Sequence, residues 1–126
     1  MRLFVKTILI VDDQAAVREL VSVTLEIGPY QILEAANGDE ALRLAQEYRP
    51  DLILLDIQMP GGKLDGLDVC RALKSDAAMK SIRIILLTAK GQELDKQAGN
   101  DAGADGYFVK PFSPLDLITT VEKFLA

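Results

Sequence analysis

The chain has 126 residues, 49% hydrophobic and 26% charged, with a net charge of −5 at neutral pH; that length buries one ordinary core, and the composition excludes disordered and fibrous classes. The acidic balance argues against nucleic acid as a direct partner, since phosphate binding needs clustered Lys and Arg. With no histidine and a single cysteine, Cys70, a Cys/His metal site, a Cys–His nucleophile and an internal disulfide are all excluded.

In chain order, MRLFVKTILIV has a passing likeness to a secretory signal, but Lys6 cuts the apolar run and no small-residue cleavage site follows before Asp12. KTILIV reads as the first strand, ending in the adjacent carboxylates of Asp12 and Asp13. A helix is predicted from about Gln14 to Ile27, with Asp13 suited to cap it. QILEAA is the second strand. Asn37, with Glu40 three positions on, then opens a helix over Asp39 to Tyr48 by reciprocal capping.

DLILLD is the third strand and ends in Asp56. A glycine-containing loop, MPGGKLDG, leads to a helix from Gly66 to Ser75 that carries Cys70 toward the core. RIILLT is the fourth strand, ending in Thr88. The helix expected over Glu93 to Ala102 is weak, because Gly91, Gly99 and Asn100 lie in or beside it and its apolar residues are few and small. GYFVK is the fifth strand and ends in Lys110, followed by Pro111. Ser113, Pro114 and Asp116 mark the start of a last helix over Pro114 to Leu125. No apolar stretch reaches membrane-spanning length, so a cytoplasmic location without a membrane partner is expected.

Strands apolar on both faces, alternating with helices, imply a doubly wound five-stranded parallel sheet of α/β class with helices on both faces. Right-handed crossovers favour the flavodoxin-like (βα)5 order 2-1-3-4-5, as one domain over residues 1–126. In such a sheet ligands bind beyond the carboxyl ends of the strands. Asp12, Asp13, Asp56, Thr88 and Lys110 all stand at those ends. Three carboxylates crowded together repel one another unless a cation joins them, and magnesium, a hard ion that takes oxygen ligands and commonly a phosphoryl oxygen, suits the set. Lys110 and Thr88 can serve a phosphoryl group's oxygens, and an Asp beside the metal can be its nucleophile.

The motifs ILIVDD, DLILLDIQMP, LDGLDVCRALK, IILLTAK and AGADGYFVKPF, in this order, resemble the receiver domain of two-component response regulators, of the stand-alone chemotaxis type. The resemblance spans nearly the whole chain. It implies that Asp56 accepts the phosphoryl group, that Asp12 and Asp13 hold magnesium with Asp56, and that the main-chain carbonyl of Gln58 completes the protein ligands. It also makes Thr88 the switch hydroxyl, Lys110 the catalytic ammonium, Tyr107 the aromatic that changes rotamer, and Lys110–Pro111 a cis bond. The donor is then a sensor histidine kinase or histidine phosphotransfer protein, and a downstream effector reads the face made by helix 4, strand 5 and helix 5.

MPGGKLDG departs from the common pattern by two extra residues, which predicts a longer loop at Gly61 and Gly62. Gln58 and Lys90 flank the site and are expected to tune hydrolysis. Taken singly, the features have plainer readings: Lys110 as a structural ion pair, Tyr107 as a half-buried strand residue, Cys70 as a small hydrophobe. The alternative function is a small aspartyl-phosphate phosphotransferase or phosphatase acting on a free substrate. That enzyme needs a cap or pocket for its substrate, and no insertion is large enough to supply one. A degenerate receiver is opposed by the complete acidic set. The expected protein is therefore no enzyme beyond its own phosphorylation and dephosphorylation.

Overall fold

The computed structural model describes residues 5–59, 63–89, 93–110 and 113–126. Ten elements alternate along the chain: β1 (Lys6–Val11), α1 (Ala15–Leu25), β2 (Tyr30–Ala35), α2 (Gly38–Tyr48), β3 (Leu52–Asp56), α3 (Gly66–Lys74), β4 (Arg83–Ala89), α4 (Glu93–Ala102), β5 (Gly106–Lys110) and α5 (Pro114–Leu125). The strands form one parallel sheet in the order β2-β1-β3-β4-β5, as expected. Four expectations lie outside the described residues: the Lys110–Pro111 peptide, the Gly61–Gly62 segment, Lys90 and Gly91.

Strand side chains alternate between faces, and here the alternation sorts the core into two layers. Leu9, Val11, Ile53, Leu55, Ile84 and Leu86 pack with α2, α3 and α4 through Ala41, Ala45, Val69, Cys70, Leu73 and Ala102. Ile8, Ile10, Leu52, Leu54, Ile85 and Leu87 pack with α1 and α5 through Val21, Leu25, Leu117 and Val121. Cys70 is buried as predicted, and burial pushes its thiol up to about 11, which keeps it protonated and unreactive.

The helix ends correct several details. α1 is shorter than predicted, because Glu26 N–H bonds to the carbonyls of Ser22 and Val23 and Gly28 N–H to Leu25, closing a tighter turn that leaves Ile27 exposed. Asp13 is not its cap. That position is Gln14, which makes no side-chain cap bond; the neighbouring Asp12 Oδ1 instead accepts from Gln14 N–H at 2.9 Å. Asn37 caps α2 through Glu40 N–H as expected, but the Glu40 carboxylate returns to Ala36 N–H rather than to Asn37. α3 carries a complete capping box, Asp65 with Asp68, which the sequence reading passed over. The Asp65 N–H and the Arg71 guanidinium hold the Asp68 carboxyl below its ordinary range.

The amino ends of the strands are fastened by side chains. Asp51 accepts from Thr7 N–H and Asp105 from Ile84 N–H, each at 2.8 Å. Lys74 Nζ donates to the carbonyls of Lys80 (3.0 Å) and Ile82 (2.8 Å) and pairs with Asp105 at 2.8 Å. Replacing Lys74 with Met removes all three donations from a half-buried position. Chemical denaturation is expected to show a loss of about 2–3 kcal/mol, since an orphaned acceptor near a charge is expensive.

Candidate functional site

At the carboxyl edge of the sheet three carboxylates and a lysine ammonium come together. Asp12 follows Ile8 and Ile10 in parity, Asp56 ends the series Leu52, Leu54, and Lys110 follows Phe108, so all three continue the α1/α5 layer. Lys110 Nζ lies 2.9 Å from Asp12 Oδ2 and 3.5 Å from Asp56 Oδ2. Carboxylate oxygens of Asp12, Asp13 and Asp56 all fall within 4.8 Å of one another. The side chains that follow or end β1, β3 and β5 at positions 12, 56 and 110 therefore meet at one place on the sheet's carboxyl edge.

Each acid has its own setting. Asp12 is fully buried, and every polar group it has is engaged: its N–H donates to the Ala35 carbonyl (3.2 Å), Oδ1 accepts from Gln14, Oδ2 from Lys110, and its carbonyl accepts from Arg18 Nη1 (2.7 Å). Asp13 is exposed. Asp56 is buried, and desolvation pushes its carboxyl up to about 6; Lys110 opposes that rise, the Asp12 charge adds to it, and the Gln58 N–H, 3.4 Å from Oδ1, opposes it. All the donor atoms are carboxylate oxygens, which fits a hard divalent cation such as magnesium and does not fit a soft metal.

Thr88 and Tyr107 belong to the other layer. Thr88 follows Ile84 and Leu86 in parity, lies across from Val109, and is 2% exposed. Tyr107 packs against the α2–α4 core, and its hydroxyl donates to Asn100 Oδ1 on α4. Gly99 makes that approach possible, because a Cβ there would stand 2.6 Å from the Tyr107 ring and 2.7 Å from Leu86 Cδ1.

Two residues that sequence reasoning left without a role shape the site. Arg18, one turn into α1, spans the Asp12 carbonyl and Glu34; nothing in its spacing signals that reach. Gly66 is the other. Its N–H donates to the Ile57 carbonyl (2.9 Å), and a Cβ at this position would lie 2.2 Å from the main-chain oxygen of Asp56. The Asp-Gly pair in LDGLDVCRALK was the available signal, since a glycine opening a helix beside a strand end suggests close backbone approach.

Over residues 8–122 the sequence matches the family described as response regulator receiver domain. The chain belongs to that family. This receiver is 47% identical over 120 residues to the phosphate regulon transcriptional regulatory protein PhoB of Pseudomonas aeruginosa, covering 95% of the chain and 52% of PhoB. It is 48% identical over 118 residues to the transcriptional regulatory protein ResD of Bacillus subtilis, covering 94% of the chain and 47% of ResD. The chain thus spans about half the length of these curated relatives. Among solved structures, the chemotaxis response regulator CheY4 of Vibrio cholerae superimposes with a TM-score of 0.88 at 36% identity, covering 96% of this chain and 99% of that one. A response regulator from Chloroflexus aurantiacus superimposes at 0.90, also at 36% identity, covering 97% and 98%. The fold and the receiver assignment drawn from the motifs are both borne out.

Two outcomes follow for this receiver. Gly66→Ala forces the α3 start away from Asp56, so thermal denaturation should reveal a loss of about 1–3 kcal/mol, the range for overpacking. The second concerns pH. A carboxyl raised to about 6 in the folded state holds a proton that the unfolded chain has already released, so ionising it costs stability. In a chelator, wild type should gain stability relative to Asp56→Asn as pH falls from 7 toward 4, and a flat difference across that window would contradict the assignment.

Proposed function

We propose that this receiver is a phosphorylation-dependent switch in a two-component phosphorelay, accepting a phosphoryl group on Asp56 from a phosphohistidine of a sensor histidine kinase or histidine phosphotransfer protein. One observation carries the reading: an acidic trio and a lysine ammonium share one pocket, with Asp56 reached by Lys110. In the transfer the phosphorus–nitrogen bond of the donor breaks and a phosphorus–oxygen bond forms on the Asp56 carboxylate. Lys110 offsets the charge on the phosphoryl oxygens as it moves.

Asp12, Asp13, Asp56 and the carbonyl of Gln58 would hold magnesium. When bound, the ion neutralises phosphoryl charge and helps align the donor. Thr88 then donates its hydroxyl to the new acyl phosphate, and Tyr107 moves into the space that Thr88 leaves. The result alters the α4/β5/α5 face that a downstream effector reads. α4 suits such a shift: Gly99 and Asn100 lower its intrinsic helicity, and small differences in packing energy then move the population. The chain catalyses only its own phosphorylation and dephosphorylation, acts as one domain over residues 1–126 in the cytoplasm, and contacts neither nucleic acid nor membrane itself.

Incubation with acetyl phosphate and magnesium, followed by intact mass, tests the reading. Wild type should gain one phosphoryl group, while Asp56→Asn, with unchanged circular dichroism, should gain none. Equal gain in both would place the acceptor elsewhere.

A further inference from the structure

The loop that carries Asp13 is held at its flanks, by Asp12 N–H on the Ala35 carbonyl and by Gln14 N–H on Asp12 Oδ1. Residues 12–14 contain no glycine or proline, Gln14 provides no side-chain cap, and Asp13 is exposed. Yet the Asp13 carboxylate lies within the acidic trio. The constraint comes from the preceding peptide. The carbonyl of Asp12 lies in the plane that joins Asp12 to Asp13, and a trans peptide moves as one rigid unit. Whatever holds that oxygen sets the position from which the Asp13 side chain departs.

Arg18 holds it. Nη1 donates to the Asp12 carbonyl at 2.7 Å, and Nε pairs with Glu34 Oε1 at 3.3 Å. The Arg18 side chain is only 18% exposed and its contact with the Asp12 carbonyl is part-buried, while the Glu34 end of the span is exposed. Glu34 is in register with Ile10 on the neighbouring strand, and Ala35, next along, receives the Asp12 N–H. One guanidinium thus ties α1 and β2 to the peptide between the two acids. Its planar, rigid fork suits that double duty, whereas a lysine ammonium is a single point donor on a flexible stem.

We infer that Arg18 is a positioning residue for magnesium: by clamping the Asp12–Asp13 peptide against Glu34, it aims the Asp13 carboxylate at Asp56. This rests on the proposed function. The charge of Arg18 and its geometry act in opposite directions. As a nearby cation, Arg18 repels magnesium, so removing the charge alone would tighten binding. As a clamp it improves the site, so removing it would weaken binding.

Magnesium titration of the unphosphorylated protein, followed by calorimetry with no phosphoryl donor present, separates the two. Arg18→Met should bind magnesium about tenfold more weakly, a typical effect of losing a group that orients a metal ligand. Arg18→Lys, which keeps the charge and cannot span both acceptors, should also bind more weakly and serves if the Met variant does not fold. Thermal unfolding in a chelator reports folding separately. Tighter binding by Arg18→Met, or wild-type affinity in Arg18→Lys, would overturn the clamp and leave the proposed function standing. A wild-type protein that binds no magnesium would overturn both.

Discussion

One lysine makes the carboxyl edge of this sheet possible. Asp12 is fully buried, and a buried carboxylate is tolerable only when it is paired and its oxygens are hydrogen-bonded. Lys110 meets that need from the far end of β5, 98 residues away along the chain, and reaches Asp56 with the same ammonium. The pairing is incomplete: the Lys110 ammonium reaches Asp12 and Asp56 of the acidic trio, and Asp56 remains harder to ionise than an ordinary aspartate. A pocket left short of positive charge is one that favours an incoming cation.

The opposite edge is built differently. There the carboxylates of Asp51 and Asp105 accept strand N–H groups, and Lys74 spends its donors on two carbonyls and on Asp105. Charge at that edge closes the ends of strands and helices. At the carboxyl edge it faces other charge. The fully apolar layers between the two edges let the same sheet carry a fastened end and a reactive end.

Strand parity gives the site a second property. Asp12, Asp56 and Lys110 continue the layer under α1 and α5, while Thr88 and Tyr107 continue the layer under α2, α3 and α4. Under the proposed function, chemistry at Asp56 is felt on the α4 side through Thr88, which stands one residue from the end of β4 and across from Val109. Tyr107 is bonded to α4 through Asn100 and seated over Gly99, so its position and that of α4 are linked.

Much of this was legible in the chain itself. Doubly apolar strands and helix-start signals are local properties, so the sheet order, the Asn37 and Ser113 caps and the burial of Cys70 could be read directly. The rule that strand ends converge was enough to gather Asp12, Asp13, Asp56 and Lys110. What failed was also local: Asp13 looked like a cap because its residue type permits it, yet Asp12 took the Gln14 N–H. The reach of Arg18 had no local signature, because it depends on another element's backbone, the Asp12 carbonyl; Gly66 was signalled by its Asp-Gly pair, but the Asp56 carbonyl that it approaches could not be read from the chain. Residue order sets which groups arrive at the edge, since periodicity and chirality act along the chain. Only packing decides which oxygen each donor meets, since that depends on distances between segments far apart in sequence.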